Sequence, residues 1–438
     1  MLQKLKEKGL IAYFIKALTS VVAYLEKYQI AARGAVIYEN SNLFFDVVRG
    51  PKIRLCETGV KETRLNVVLP SFYEDECYGG PVSALELTFQ ISKNYSAIRF
   101  VSQGALKMDK KLVNLKNYIE NSDVKNIQIT SLADEPEFIC HQHEIFLCTY
   151  YSTVKVWELY SDLLSRKGLN KNPFYYVIQD FEPGFYPFGY HYSLAMKTYS
   201  HGMLTHAIFN SRELYAFFEA SFPPFCQMNI ITPSLNAGIY EYLCAREFTI
   251  KSKGNGGKLQ ILIYGRPAVH RNCYQSILAG LFEFFSAMSL EERKKYCIVS
   301  AGASHDDIEL CRGVHIRSLG KLTMESYIEV LENSHIGISF MASPHPSYPP
   351  LEMAAFGLYT ITNKFLNKDI STTHPMIHCL NYPLPDELAR ELTEAVKYVL
   401  NADSISLPAT IPTNMSSLPW EENLKTIQID SLTSANLS

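Results

Sequence analysis

A polar, glycine-rich segment in the middle of the chain, Lys251-Ser-Lys-Gly-Asn-Gly-Gly-Lys258, separates two stretches that repeat one pattern: an apolar or β-branched run, a loop, then helical spacing. Such a segment has nothing to bury and reads as a flexible linker. Before it, strands are expected at Arg64-Leu-Asn-Val-Val-Leu-Pro70, Ile98–Ser102, Ile127–Thr130, Glu144–Cys148, Phe174–Gln179, Ala207–Asn210 and Met228–Ile231, with helices at Val82–Lys93, Thr153–Ser165 and Ser211–Phe222. After it, strands fall at Leu259–Tyr264, Tyr296–Ser300, Val314–Leu319, Ile336–Phe340 and Tyr359–Thr362, with helices at Ser276–Met288, Met324–Asn333 and after Pro350. Strand, turn and helix in alternation is the unit of a parallel sheet covered on both faces. A chain of 438 residues is too long for one core, which agrees with two domains of roughly 200 residues each. The expected architecture is α/β: two Rossmann-like doubly wound domains, residues 61–252 and 258–403, facing a central cleft. A helical preface, 1–60, precedes them, and a tail, 404–438, follows with a helix at Trp420–Ile427.

With 41 basic against 44 acidic residues the net charge is -3, so no basic field exists to hold a nucleic-acid backbone. The 10 cysteines are scattered without a CxxC pair, the usage of a reduced, cytoplasmic protein. No apolar run reaches the ~20 residues that span a bilayer. Leu10–Leu25 is mostly apolar, with one charge at Lys16, and follows Lys4, Lys6 and Lys8. A helix packed on its own protein is the preferred reading; peripheral contact of residues 1–28 with an anionic membrane surface is the second.

Open parallel sheets bind ligands beyond the carboxyl ends of their strands. In the second half the polar residues there are Gly265 and Arg266, Ser300–Ser304, Gly320 and Lys321, and Ser343–Glu352. Arg266 offers a planar fork and Lys321 a compact charge, and one sheet edge can turn both toward a diphosphate. Glu352 falls in the first turn of a helix entered through Pro349 and Pro350, whose remaining N–H groups and dipole favour an anion. Its carboxylate suits two vicinal ribose hydroxyls, and together these residues describe a nucleoside-diphosphate site. In the first half, Gly79-Gly80 makes a turn between the first expected strand and its helix. Asp180 and Glu182 follow a strand and turn toward the cleft as acceptor binder or proton acceptor, with Asp180 preferred as the base. Phe185, Tyr186, Phe188 and Tyr190 form a candidate stacking surface for sugar rings.

Residues 336–357, with Ile263-Tyr-Gly-Arg-Pro267, Val299-Ser-Ala-Gly302, Ser318-Leu-Gly-Lys321 and Gln179-Asp-Phe-Glu-Pro-Gly-Phe-Tyr186, closely resemble the WsaF-type rhamnosyltransferases, within the family 4 glycosyltransferases of GT-B fold. The resemblance covers roughly residues 60–430. It implies transfer of L-rhamnose from dTDP-β-L-rhamnose to a growing cell-surface polysaccharide, with donor held by the second domain and a glycan acceptor, free or lipid-linked, by the first. It also implies that Arg266 and Lys321 neutralise the leaving diphosphate, that Glu352 binds ribose, that the backbone of Ser318, Leu319 and Gly320 holds the base, and that the Gly79-Gly80 turn comes close to the phosphates, an approach glycine suits because it lacks a side chain. No metal is required in that scheme. The broad family keeps a second glutamate eight positions before Glu352, where this chain has Pro344. Sugar recognition must then fall to other residues of the loop, Ser343, His345 or Ser347.

Three rival readings are weaker. Asp180-Phe-Glu182 resembles the metal-binding DxD motif of the other major glycosyltransferase fold, but that fold would leave Arg266, Lys321 and Glu352 idle. Cys140-His-Gln-His143 with Cys148 has soft ligands in no closed tetrahedral spacing. A nucleotide-sugar epimerase of the same fold would need an acid/base pair beside Glu352 that the sequence does not show.

Overall fold

A computed structural model describes residues 51–56, 62–74, 80–107, 109–118, 124, 126–245, 257–401, 410–419, 422–423 and 428–432. The N-terminal apolar stretch, Gly79, most of the glycine-rich segment and most of the expected tail helix lie outside these residues.

The first domain is built on strands β1 (Ile53–Leu55), β2 (Arg64–Leu69), β3 (Ala97–Ser102), β4 (Asn126–Ser131), β5 (Phe138–Cys140), β6 (Glu144–Cys148), β7 (Phe174–Ile178), β8 (Thr205–Phe209) and β9 (Gln227–Ile230). Seven of them form one parallel sheet in the order β4-β3-β2-β6-β7-β8-β9. Counted within that sheet the order is 3-2-1-4-5-6-7, the doubly wound arrangement, with its reversal point between β2 and β6. Its central strands are buried along their length, as strands covered on both faces must be. Helices α1 (Gly80–Ser92), α2 (Tyr151–Arg166), α3 (Tyr190–Thr198) and α4 (Arg212–Ser221) cover the faces. Arg99 is carried inside a central strand because Asn66 accepts from its Nε at 2.7 Å and its guanidinium lies 3.9 Å from the Phe138 ring.

Helix α5 (Ala237–Cys244) leads into the second domain. Strands β10 (Leu259–Gly265), β11 (Tyr296–Gly302), β12 (Ile308–Cys311), β13 (Val314–Gly320), β14 (Ile336–Ile338), β15 (Tyr359–Asn363) and β16 (Ile377–Leu380) lie in the order β12-β13-β11-β10-β14-β15-β16. Apart from the antiparallel edge strand β12, this repeats the doubly wound order, reversing between β10 and β14. Helices α6 (Tyr274–Ser286), α7 (Leu290–Arg293), α8 (Met324–Asn333), α9 (Pro349–Ala355) and α10 (Pro385–Asn401) complete it.

The domain boundaries differ from the sequence expectation in three places. Ile53–Leu55 is not part of a helical preface but a strand pairing in parallel with β5. Leu235, Ile239 and Leu243 are buried in the core of the second domain, so the chain has joined that domain before it reaches the glycine-rich segment. The tail is not separate: Met415 is buried in the second core and Leu432 in the first.

Candidate functional site

The ends of β10, β11 and β13 are level: Gly265 pairs with Gly302, and Ala301 with Gly320. Arg266 and Lys321 therefore leave the sheet at one height with β11 between them, about 10 Å apart by strand spacing, within reach of a shared diphosphate. Arg266 is half-buried and Lys321 exposed. Gly302 has φ +143°, and a Cβ there would sit 2.6 Å from the Gly265 carbonyl oxygen, so this close approach of two strand ends requires glycine. Beside them the loop after β11 folds over β13: the Ser318 N–H donates to Asp307 Oδ1 at 2.8 Å, and Ser318 Oγ accepts the His305 N–H. That commits the Ser318 N–H, which was expected to hold a base.

Glu352 sits on α9, which lies against β14 because Gly337 has no side chain; a Cβ there would meet Met353 Sδ at 2.6 Å. The Tyr327 hydroxyl on α8 donates to Glu352 Oε2 at 2.8 Å. Burial raises the Glu352 pKa and this hydrogen bond offsets part of the rise. The expectation of free N–H groups at the helix start is corrected. Pro349 and Pro350 have none, and the N–H groups of Leu351 and Glu352 both donate to the Tyr348 carbonyl at 3.0 Å. With only seven residues in α9, little is left there for an anion, so its charge must be met by side chains.

The loop between β14 and α9 is held both by its own side chains and by neighbouring loops. The Met341 N–H donates to Asn363 Oδ1, that of Ala342 to the Arg271 carbonyl, that of His345 to Ser343 Oγ and that of Ser347 to His345 Nδ1. Ser343, His345 and Ser347 are all buried. Ser343 donates its hydroxyl to Asp180, which removes it from sugar recognition. His345 is different. With Nδ1 accepting, the neutral ring carries its proton on Nε2, which is buried without a partner in the protein. Burial lowers its pKa and favours that neutral form.

Two arrangements on the first domain depart from expectation. Glu182 is only 3% exposed; it accepts the Tyr151 N–H at 2.7 Å at the start of α2 and the Tyr176 hydroxyl at 3.0 Å. It is an interior brace and not an acceptor binder, and burial pushes its pKa up to about 8. Asp180 is likewise committed, to Ser343, to the Phe181 N–H at 2.8 Å and to Arg271 at 3.4 Å, which does not suit a base awaiting substrate. The two carboxylates face different partners, so they do not form the DxD metal pair. Among the described residues no group of three or more His, Cys, Asp or Glu side chains is placed to hold a metal.

Phe185 and Tyr186 do gather with other rings. Tyr150 stacks on Phe185 at 6.5 Å and shares a hydroxyl hydrogen bond with Tyr186, which meets Tyr151 edge-on at 5.7 Å. Phe188, 90% exposed, and Tyr190 extend the patch outward. Gly80 opens α1 at the reversal point of this sheet, and Glu86 on the same helix is near enough to act on Tyr348 of the second domain.

Family models describing the N-terminal domain of WsaF and the C-terminal domain of WsaF match residues 64–212 and 259–393, together more than half of the chain. The chain belongs to the WsaF family of glycosyltransferases. Its two facing doubly wound domains are the GT-B fold. Among solved structures, the apo structure of OtsA aligns with a TM-score of 0.52 at 11% identity, over 84% of this chain and 100% of that one; at that identity the likeness concerns the fold alone. The O-antigen biosynthesis protein RfbC of Myxococcus xanthus is 28% identical over 233 residues, 50% of this WsaF-family chain. The match spans only 16% of RfbC's own length.

Two site residues escaped the sequence reading. Arg271, in the same β10–α6 loop as Arg266, has its guanidinium 4.1 Å over the Phe185 ring. Its position five residues after Arg266 in one strand-to-helix loop was the available signal. Tyr327 lies in the second turn of α8, and nothing in its own neighbourhood points to Glu352.

Proposed function

We propose that this protein is a metal-independent transferase that moves L-rhamnose from dTDP-β-L-rhamnose to a growing cell-surface polysaccharide or glycan. The observation that carries the reading is the meeting of Arg271 with Phe185: a cation from the strand-end loop of one domain against the aromatic patch of the other. Membership in the WsaF family and the match to an O-antigen biosynthesis protein support a polysaccharide product.

In this reading Glu352, oriented by Tyr327, accepts the ribose hydroxyls, and the backbone at Leu319 and Gly320 holds the base. Arg266, Arg271 and Lys321 meet the diphosphate. An acceptor hydroxyl, its ring stacked on Phe185 and Tyr186, attacks the anomeric carbon. The new carbon–oxygen bond forms as the bond to the β-phosphate oxygen breaks, and the arginines take up the charge that develops on the departing nucleoside diphosphate. The hydroxyl proton leaves with that oxygen or to water. His345 Nε2–H is the donor left on the loop to read the sugar, in place of the glutamate that Pro344 replaces. A 6-deoxy sugar, with one hydroxyl fewer, fits a site with a single such donor. A thermal-shift panel of nucleotide sugars tests this: stabilisation by dTDP-rhamnose above UDP-hexoses is expected, and the reverse order overturns the donor assignment.

A further inference from the structure

Asp180, just beyond the end of β7, is a first-domain carboxylate that reaches into the second domain. It is 7% exposed; Oδ1 accepts the Phe181 N–H and the Ser343 hydroxyl, and Oδ2 lies 3.4 Å from Arg271 Nε, an ion pair without a hydrogen bond. Its partners sit on two different loops of the donor side. Arg271 belongs to the loop after β10, and Ser343 to the loop after β14. Those loops are also joined directly, by the Ala342 N–H on the Arg271 carbonyl at 2.7 Å. From Ser343 the connection continues, since Ser343 Oγ accepts the His345 N–H at 3.1 Å and His345 Nδ1 accepts the Ser347 N–H at 2.9 Å. The ring of Phe185, five residues beyond Asp180, lies 4.1 Å from the same guanidinium.

A base for an incoming hydroxyl must present a lone pair to substrate; Asp180 Oδ1 spends its own on protein groups, and Oδ2 is buried against the Arg271 guanidinium. We propose that Asp180 is a positioning residue, holding Arg271 and the 341–350 loop from across the domain boundary so that the donor subsite is complete only when the domains are docked. This rests on the reading that those groups face a nucleotide sugar. It makes donor affinity depend on a residue of the acceptor domain.

The test uses Asp180→Asn, Arg271→Gln and the double variant in the full chain. Asparagine keeps an oxygen for the Ser343 hydroxyl and removes the charge that faces Arg271. The expected result is a donor KM about tenfold higher in each single variant, with kcat lowered as well in Arg271→Gln because its charge on the diphosphate is lost, a double variant no worse than the poorer single, and both limbs of the pH–rate profile retained. A fall in kcat at unchanged donor KM, with one limb of that profile lost, would identify a base and overturn the proposal, as would additive effects. Independently of substrate, Asp180→Ala is expected to speed amide exchange at His345 and Ser347 about tenfold or more, and unchanged exchange overturns the proposal. If the wild-type chain binds no nucleoside diphosphate, the donor reading fails while the exchange result still decides the role of Asp180.

Discussion

Glu182 shows at the scale of one residue why sequence alone misplaces function. Its neighbours Asp180, Pro183 and Gly184 mark a loop after a strand, which is legible, but the direction of its side chain depends on Tyr151 and Tyr176, which the fold brings to it. Its pKa of about 8 lies above that of an unfolded glutamate, so the folded state holds the proton more tightly. The stabilisation is complete below the unfolded pKa near 4 and is lost as pH rises toward 8. Urea unfolding should therefore show stability falling by about 2–3 kcal/mol between pH 5.5 and 7.5, and Glu182→Gln should flatten that slope. The positions of Arg266 and Lys321 were legible because each follows an expected strand end, and that of Glu352 because Pro349 and Pro350 mark the start of its helix. Arg271 gained its meaning only from Phe185 and Asp180, distant in sequence. Arg266→Ala should lower turnover by about 10² to 10³-fold with the fold intact, as loss of a transition-state donor does elsewhere; undiminished turnover would remove Arg266 from the site.

Among elements, the long apolar strands were readable because burial on both faces leaves an uninterrupted hydrophobic run. Short or partnered pieces were not: β1 and β12 are defined by their pairing. Helix α10 carried a readable signal, Leu388, Leu392, Ala395 and Val399 at helical spacing, all buried, and the sequence reading passed over it. Its packing explains Gly280 on α6, where a Cβ would lie 2.8 Å from Leu388 Cδ2 and 2.9 Å from the Pro385 carbonyl oxygen. Gly280→Ala gains helix propensity, yet it forces the two helices apart, and overpacking of 1–3 kcal/mol outweighs a gain of about 1. A lowered melting temperature is the expected outcome; a raised one would mean that α10 yields at little cost. Helix α9 teaches the opposite lesson. Its start was foreseen, but its two prolines and the Tyr348 carbonyl leave its first turn without the donors expected of it.

Over the whole molecule the two-domain plan was legible from the glycine-rich segment, while the path of the chain between domains was not. The tail returns to the first domain, where the Leu432 N–H donates to the hydroxyls of Tyr95 and Tyr175 at 3.2 and 2.9 Å and its side chain is buried. Asn414, from the same tail, donates to Glu213 Oε1 at 3.0 Å. Ending the chain before residue 428 should then cost about 2–4 kcal/mol in urea unfolding, whereas a detachable tail would cost nothing. No helix among the described residues is long and apolar enough to cross a membrane. The most direct measurement of the central claim is the release of dTDP from dTDP-β-L-rhamnose by the purified full chain, with and without a glycan acceptor. Release that requires acceptor, with the sugar recovered on the glycan, is the predicted result; no release from any nucleotide sugar, or interconversion of the sugar without transfer, would contradict it.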